Sequence, residues 1–253
     1  MMEYAAQIER AAELIRQSPH FFALTGAGMS TESGIPDFRS PGGIWENIDP
    51  IKTSSVEVLY NNPRVFYEAG FIRFASITMA EPNAGHRALV DLEKMGLLNG
   101  LITQNIDGLH VKAGAQKVWE VHGHLRSGYC LGCKRRFPFE ALVHQVELKH
   151  IPPTCPSCFN MLRPDVVLFG DSMPALFFEV WDELEKSCDL LLVAGSSLVV
   201  YPVADLPTLA QKLIIVNLEP TIYDYRADLV IRDKCGKVLP DIVQLLEGGE
   251  GTD

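Results

Sequence analysis

The stretch FFALTGAGMSTESGIPDFRS, residues Phe21–Ser40, decides the fold of this chain. Its first five residues, Phe21–Thr25, form an apolar run without alternation, which is typical of a strand buried on both faces of a parallel sheet. Gly26 and Gly28 then supply the first two glycines of the dinucleotide-binding pattern G-x-G-x-x-G, but Thr31 stands at the third place. The stretch therefore predicts a phosphate-binding turn that differs from the turn of an ordinary NAD-dependent dehydrogenase.

Strand and helix patterns alternate along the rest of the chain. Short apolar runs begin at Gly100, Asp189, Lys212 and Ala227. Helical spacing precedes the first strand, and helical patterns cover residues 84–95, 174–186, 202–211 and 237–246. This alternation predicts an α/β fold with a Rossmann-like, doubly wound parallel sheet and ligands at the carboxyl ends of its strands.

Two stretches interrupt the alternation. Residues 43–80 include a helix predicted to start at Pro63 with Asn62 as its cap, and residues 127–160 hold two C-x-x-C pairs. We interpret both as insertions that form a small domain, one helical and one a zinc ribbon. Residues 1–42, 81–126 and 161–253 are then the Rossmann-like NAD-binding domain.

The two C-x-x-C pairs predict a metal site. Cys130/Cys133 and Cys155/Cys158 are separated by a spacing close to that of four-cysteine zinc ribbons. Four thiolates complete a tetrahedron and leave no position open for water, so the predicted zinc is structural. The alternative is a pair of dithiol turns that never share an ion.

Composition limits the classes of partner. The chain of 253 residues is 47% hydrophobic and 21% charged, with a formal net charge of -10. The negative charge disfavours general affinity for nucleic acid or anionic lipid. No run approaches the ~20 apolar residues of a membrane span, and the N-terminal residues lack a signal-peptide pattern. We therefore expect a cytoplasmic protein with no membrane partner.

Several longer motifs occur in the order found in one protein family. They are GAGMSTESGIPDFR (Gly26–Arg39), TQNIDGLH (Thr103–His110), VHG (Val121–Gly123), the four cysteines, PDVVLFGDSMP (Pro164–Pro174), GSSLVVYP (Gly195–Pro202) and VNLE (Val216–Glu219). Over nearly its whole length the chain thereby resembles the sirtuins, which are NAD-dependent protein lysine deacylases. The resemblance implies that the glycine turn binds NAD for cleavage and not for hydride transfer.

The resemblance also implies a set of cofactor-binding residues. Gly26, Ala27, Gly28 and Thr31 belong to the phosphate and ribose cradle, with Phe38 and Arg39 covering the nicotinamide ribose. Gln104, Asn105, Ile106 and Asp107 form the nicotinamide segment, in which Asp107 holds the carboxamide. Gly195, Ser196 and Ser197 meet phosphate or ribose, Asn217 and Leu218 the adenosine ribose, and Cys235 the adenine. Without the family resemblance, the preferred interpretation of Asn-Ile-Asp is a simple turn after the strand.

The reaction of the family needs a base that helps a ribose hydroxyl take up the acyl group. Histidine suits this task because its ordinary pKa is near ~6.5. The Val-His-Gly context favours His122 over His124, two residues away, while His86 and His110 are interpreted as structural. Asn105 is the second candidate catalytic residue and orients the ribose or a nearby water.

The segment PDVVLFGD is the candidate substrate site. Val166 and Val167 offer an extended edge, Phe169 a wall and Gly170 a bend, so that an acyl-lysine peptide could add as a strand. The alternative is an ordinary buried strand. Sirtuins that remove succinyl groups carry Tyr-x-x-Arg before the PNAGH motif, but Gly70 follows Tyr67 at that spacing here. We therefore expect acetyl or other neutral acyl groups to be preferred.

Two other functions remain open at this point. The same site could act as a mono-ADP-ribosyltransferase in which a protein side chain captures the ribose. Alternatively, the chain could be a zinc-ribbon nucleic-acid binder, for which the basic cluster Lys134–Arg136 is the only support. The complete set of motifs favours the deacetylase, with acetylated proteins or peptides as partners, NAD as co-substrate and zinc as structural metal.

Overall fold

The structure, a computed structural model, describes residues 2–37 and 49–248. Within these ranges the chain forms nine strands: β1 (Phe21–Thr25), β2 (Leu98–Thr103), β3 (Val118–Glu120), β4 (Gly123–Cys130), β5 (Arg136–Pro138), β6 (Leu162–Val166), β7 (Leu190–Ala194), β8 (Lys212–Val216) and β9 (Leu229–Ile231). Six make a parallel sheet in the order β3-β2-β1-β7-β8-β9, and the other three make an antiparallel sheet in the order β5-β4-β6. The predicted doubly wound α/β fold is confirmed.

Strand β1 occupies the centre of the parallel sheet and is buried on both faces. Phe21 and Ala23 pack into the apolar core on one face, and Phe22 and Leu24 pack into the core on the other. β1 pairs with β2 on one side and with β7 on the other, so the order of the strands reverses between β1 and β7. Loops leave these two strands in opposite directions, which opens a crevice at their carboxyl ends.

Helices cover both faces of the sheet. Those in the described ranges are α1 (Met2–Arg16), α2 (Pro50–Ser54), α3 (Val56–Asn61), α4 (Pro63–Val65), α5 (Ile72–Ile77), α6 (Ala84–Lys94), α7 (Leu109–Ala113), α8 (Phe139–Glu147), α9 (Ala175–Ser187) and α10 (Cys235–Gly248). Helices α1, α6 and α10 bury apolar side chains on one face of the sheet, and α9 does so on the other. None of the helices in the part of the chain described here has the length and hydropathy of a membrane span.

One predicted helix differs in type. The pattern over residues 202–211 becomes a short 3₁₀ helix, Val203–Leu209, with Pro207 inside it. The predicted cap at Asn62 is present, since its Oδ1 accepts a hydrogen bond from the N–H of Val65 at 3.4 Å. The chain continues from α4 through a π-helical turn, Phe66–Phe71, into α5.

The two predicted insertions share one apolar core. Leu59 and Phe71 from the helical stretch cluster with Phe139, Leu142 and Leu162 from the region around the cysteines. The rings of Phe71 and Phe139 lie 5.0 Å apart, within the range of favourable aromatic pairs. We define the helices α2–α5 together with the sheet β5-β4-β6 and α8 as the small lobe.

Candidate active site

A cleft of about 990 Å³ lies where the carboxyl ends of the parallel strands face the segment that follows β6. The predicted site residues that line it are Gly26, Ala27, Gly28, Thr31, Gln104, Ile106, His122, Val166, Val167, Phe169, Gly170, Gly195, Ser196, Ser197, Asn217, Leu218 and Cys235. Asn105 and Asp107 line a smaller pocket that Ala27 and Ile106 also line. Phe38 and Arg39 lie outside the described residues. Residues more than 200 positions apart in sequence thus meet in one cleft.

The glycines of the broken fingerprint allow two loops to touch. The N–H of Gly28 donates to the carbonyl of Gly195 at 2.8 Å, and a Cβ on Gly28 would lie 2.9 Å from the Cα of Gly195. Gly195 has a φ of 63°, and a Cβ there would lie 2.2 Å from the backbone nitrogen of Met29. A side chain at either position would therefore push the loops after β1 and β7 apart.

A 3₁₀ helix, Ala27–Ser33, replaces the long helix that normally follows such a turn. Thr31, at the third place of the fingerprint, donates its hydroxyl to the carbonyl of Gly28 at 2.9 Å. Gly34 ends the 3₁₀ helix with a φ of 81°, in the left-handed region that favours glycine. The last glycine of the stretch therefore lies at the end of this helix, three residues after the third place of the fingerprint.

The amide side chains after β2 hold the neighbouring loops. Asn105 is buried and its Nδ2 donates to the carbonyl of Gly26 at 3.0 Å and to the hydroxyl of Ser30 at 3.2 Å. Gln104 Nε2 donates to the hydroxyl of Ser196 at 2.9 Å. These bonds connect the ends of β1, β2 and β7 across the floor of the cleft.

Asp107 presents a partly buried carboxylate to the smaller pocket. Its Oδ2 accepts the hydroxyl of Ser30 at 2.7 Å and its Oδ1 accepts the N–H of Leu109 at 2.9 Å. Burial raises the pKa of Asp107, and these two donors oppose part of that rise. The pocket is also lined by the apolar residues Ile35 and Ile77 and by the polar residues Ser30 and Asn105, so Asp107 is the charged group in a wall of mixed polarity.

His122 lies where the two lobes meet. Its Nδ1 is 3.1 Å from the carbonyl oxygen of Gln104, and its own carbonyl accepts the N–H of Val167 at 2.8 Å. A carbonyl can only accept, so Nδ1 carries the hydrogen and Nε2 keeps its lone pair. Burial lowers the pKa of His122, and the bond to Gln104 opposes part of that shift. The imidazole is therefore neutral at pH 7 and able to accept a proton.

The other histidines considered as bases lie elsewhere. His124 Nε2 is 3.8 Å from a carboxylate oxygen of Asp165, and His124 does not line the cleft. His86 and His110 are buried with their rings 4.7 Å apart, and His110 Nε2 lies 2.9 Å from the hydroxyl of Thr25. These two occupy the interior behind the glycine turn, as expected for structural residues.

The predicted substrate segment forms the wall opposite the sheet. Val166 ends β6, which is an edge strand of the antiparallel sheet. Phe169 is 40% exposed, and its carbonyl accepts the N–H of Val56 at 2.9 Å. Gly170 has a φ of 87° and allows the chain to turn away from the cleft.

The four cysteines converge in the small lobe. Their sulfur atoms all lie within 4.8 Å of one another, with Cys130 and Cys158 at 3.3 Å and Cys133 and Cys155 at 3.8 Å. A tetrahedral zinc with Zn–S bonds of about 2.3 Å places its sulfur ligands roughly 3.8 Å apart. The cluster fits zinc, and because four thiolates fill the coordination sphere, that zinc is structural.

The far end of the cleft follows β8. Asn217 Nδ2 donates to the carbonyl of Glu219 at 2.7 Å, and Arg232 Nη1 donates to the carbonyl of Asn217 at 3.1 Å. Cys235 is buried at the start of α10, and burial raises the pKa of its thiol to about 12. A thiol that stays protonated serves as an apolar wall of the cleft and not as a nucleophile.

Three further residues support the site without having been predicted for it. Ser30 bonds both Asn105 and Asp107, Glu32 accepts the N–H of Gly236 at 2.7 Å, and Asn83 Nδ2 donates to the carbonyl of Met29 at 2.8 Å. Ser30 and Glu32 lie inside the stretch Phe21–Ser40, and this position is the sequence feature by which they could have been predicted as site residues. The partners of Glu32 and Asn83 are far away in sequence and leave no local pattern.

Comparison with known proteins places the chain in a family. The sequence model of the Sir2 family matches residues 26–202. The chain is 53% identical over 240 residues to NAD-dependent protein deacetylase 2 of Caldanaerobacter subterraneus subsp. tengcongensis, covering 94% of this chain and 96% of that relative. It is 43% identical over 244 residues to NAD-dependent protein deacylase 2 of Archaeoglobus fulgidus, covering 94% and 95%.

Solved structures are similar over nearly the whole length. A Sir2 structure with a deacetylated p53 peptide and 3'-O-acetyl ADP-ribose superposes with a TM-score of 0.90 at 35% identity, covering 96% of this chain and 99% of that chain. A Sir2 structure with a p53 peptide and NAD+ gives a TM-score of 0.85 at 34% identity, covering 97% and 99%. With a family match over most of the chain and relatives similar over nearly its whole length, this chain belongs to the Sir2 family.

Proposed function

We propose that the protein is an NAD-dependent protein lysine deacetylase, which converts an acetyl-lysine protein and NAD to lysine, nicotinamide and O-acetyl-ADP-ribose. The position of His122 carries the proposal: its ring bonds the Gln104 carbonyl, and its backbone bonds the predicted substrate segment at Val167. The names of the relatives support the same activity. The site thus combines a cleft that fits a dinucleotide, a general base, and an extended segment along which a peptide can pair.

NAD, when bound, supplies the chemistry: its nicotinamide leaves and its ribose takes up the acetyl group. The glycine turn, Thr31 and the loop with Ser196 and Ser197 cradle the phosphates and ribose through backbone N–H groups and hydroxyls. Asn217, Leu218 and Cys235 hold the adenosine end. Phe38 and Arg39 remain predicted, from the family resemblance, to cover the nicotinamide ribose.

The nicotinamide end belongs to the smaller pocket. Asp107 accepts from the carboxamide there, and the apolar wall with Ile106 excludes water. Asn105 holds Gly26 and Ser30, so that the floor of this pocket keeps its shape while the glycosidic bond breaks. We propose that Asn105 orients the ribose through these hydrogen bonds to Gly26 and Ser30.

His122 acts as general base. Its Nε2 takes up a proton, and its Nδ1–H bond to Gln104 stabilises the imidazolium that results. The depressed pKa keeps the ring unprotonated at neutral pH, so each turnover begins with the base in its competent form.

An acyl-lysine peptide adds along the Val166–Gly170 segment, with its lysine entering the cleft. Tyr67 is buried and donates to the carbonyl of Leu162, and it does not line the cleft. Among the described lining residues, Lys234 is the one lysine or arginine. Apart from Lys234, which adjoins Cys235, a carboxylate at the end of an acyl chain meets no lysine or arginine among the described lining residues, and we therefore propose a preference for neutral acyl groups.

The remaining organisation is proposed as well. Residues 1–42, 81–126 and 161–253 are proposed as the Rossmann-like domain and residues 43–80 and 127–160 as the small domain, although β4 and β6 carry the small lobe a few residues past both ends of the second insertion. Cysteines arranged for a metal fit a reducing compartment, and we propose the cytoplasm.

The test is product analysis. Purified protein is incubated with NAD and an acetyl-lysine peptide, and mass spectrometry looks for free lysine peptide, nicotinamide and acetyl-ADP-ribose in equal amounts. The same peptide with unmodified lysine is the control. ADP-ribose attached to protein, with no deacetylated peptide, would contradict the proposal and establish the mono-ADP-ribosyltransferase instead.

A further inference from the structure

A buried ion pair lies directly behind the substrate segment. The guanidinium of Arg163 on β6 donates through Nη1 to Asp171 Oδ1 at 3.2 Å and through Nη2 to Asp171 Oδ2 at 2.6 Å. The side chains are 6% and 19% exposed. This is a bidentate, charge-assisted contact that the solvent barely reaches.

Each ion also bonds the backbone of the segment between them. Arg163 Nη2 donates to the carbonyl of Val166 at 2.9 Å, and Asp171 Oδ2 accepts the N–H of Leu168 at 2.8 Å. The residue between these two points, Val167, donates its N–H to the carbonyl of His122. Three successive residues are therefore fixed, the outer two by the ion pair and the middle one by the candidate base.

Stability alone does not explain a pair in this place. Two charges lose their hydration on burial, and an apolar pair of the same volume often stabilises a fold as well or better. Arg163 Nε, moreover, has no hydrogen-bond partner among the described residues, which adds to the cost. The gain lies in geometry, because the planar fork of the guanidinium fixes both its carboxylate partner and the carbonyl of Val166.

We propose that Arg163 and Asp171 are positioning residues for the protein substrate, which hold Val166–Leu168 extended so that an acyl-lysine peptide can pair with it. The proposal rests on the proposed function, because it takes this segment as the peptide edge. Arg163 does not line the cleft, and Asp171, which does, already uses both carboxylate oxygens to accept from Arg163 and from the N–H of Leu168. Both act through the backbone that they bond, and they leave the NAD end of the cleft unchanged.

The experiment compares Asp171→Asn and Arg163→Lys with wild type. Asp171→Asn keeps the shape of the side chain and removes its negative charge. Arg163→Lys keeps the positive charge and removes the planar guanidinium that makes two parallel hydrogen bonds to Asp171. Asp228→Asn is the matched control, since Asp228 also accepts a backbone N–H, that of Leu213 at 2.8 Å, but at the amino ends of β8 and β9. The readouts are peptide affinity by fluorescence polarisation, NAD affinity by calorimetry, and amide hydrogen exchange at Val167 and Leu168.

In Asp171→Asn we expect peptide affinity to fall about tenfold or more and the Leu168 amide to exchange at least about tenfold faster, while NAD affinity stays within about twofold. Arg163→Lys should give an intermediate loss, and Asp228→Asn should give none. If Asp171→Asn does not fold, Arg163→Lys decides the result on the same readouts.

Peptide affinity at the wild-type level in both variants would overturn the proposal, as would an equal loss of peptide and NAD affinity. The proposed function fails separately. A wild-type chain that binds the peptide but releases no deacetylated product refutes the deacetylase, and weakened peptide binding in Asp171→Asn would still support the positioning role. A wild-type chain that binds no acetyl-lysine peptide overturns both.

Discussion

His122 and Gln104 are joined by a hydrogen bond of 3.1 Å between the imidazole Nδ1 and a backbone carbonyl. The bond fixes the tautomer of the histidine and connects it to the segment that carries Asn105 and Asp107. The candidate base is thereby positioned by the main chain of the cofactor side of the cleft, and side-chain substitutions around it leave that bond in place.

His122→Ala is expected to lower the deacetylation rate by about 10²–10⁴-fold, because it removes the proton acceptor and little else. The rate, the zinc content and the thermal unfolding midpoint are measured together. His124→Ala is the matched control and should keep the rate within a few-fold, since His124 faces Asp165 and not the cleft. A rate near wild type in His122→Ala would refute the assignment.

The pH dependence of kcat/KM should report a histidine with a lowered pKa. The base is active when unprotonated, so the rate is constant at neutral pH and falls as the pH drops through the pKa of His122. Burial lowers that pKa, and the midpoint of the acid limb should therefore lie below the ordinary value near ~6.5. An acid limb centred at or above that value would contradict the neutral, partly buried imidazole.

Zinc removal is expected to unfold the small lobe. Cys130 and Cys155 are buried in the same apolar core as Phe139 and Leu162, so loss of the metal opens that core. Cys130→Ala should bind less than half an equivalent of zinc and lower the unfolding midpoint by roughly 10 °C or more. Metal analysis and calorimetry measure both. Cys188→Ala, at a buried cysteine outside the cluster, should keep the zinc.

Acyl preference should depend on charge and not on length. Acetyl and butyryl groups are expected to be removed from one peptide about tenfold faster than succinyl, because an unpaired carboxylate costs on the order of 1–3 kcal/mol to bury. Mass spectrometry with the three peptides at equal concentration gives the rates. Succinyl removal as fast as butyryl removal would show that a cation outside the described lining residues reaches the acyl group.

Two buried histidines should make the fold sensitive to acid. Burial lowers the pKa of His86 to about 4 and lowers the pKa of His110 well below its ordinary value. Both pKa values are higher in the unfolded chain, so stability is complete above about 6.5 and is lost as the pH falls toward 4. For His86 the loss is on the order of 3 kcal/mol below pH 4.

The measurement is the unfolding midpoint at pH 7.5 and pH 5. Wild type should lose several degrees between the two, and His86→Leu should lose fewer because it has no proton to gain. His150→Gln, at an exposed histidine, is the control and should keep the wild-type difference. An unchanged difference in His86→Leu would show that other groups bind the protons.

The sequence predicted the features that depend on residues close together in the chain, such as a buried strand and the two metal-binding cysteine pairs. The apolar run Phe21–Thr25 forms a strand with those bounds, and the two C-x-x-C pairs meet in one cluster. The helical pattern at residues 202–211 forms a 3₁₀ helix, Val203–Leu209. The spacing of apolar residues over so few turns does not distinguish this type from an α-helix.

Contacts across long separations could not be predicted. Glu32 meets Gly236, and Arg163 takes both Asp171 and the carbonyl of Val166, through geometry that only the folded chain brings together. The candidate base His122 was selected through its Val-His-Gly context, yet its link to Gln104 depends on the register of β2 beside β3 and carries no signature in either motif.

The crossing of Gly28 and Gly195 has a mechanical consequence. With backbone resting on backbone, the loops after β1 and β7 cannot approach or part without moving both strands, so the floor of the cleft is stiff. The facing wall is braced too, because Arg163, Asp171 and the His122 carbonyl hold Val166–Leu168. A change in the width of the crevice therefore requires the small lobe to move as a unit against the parallel sheet.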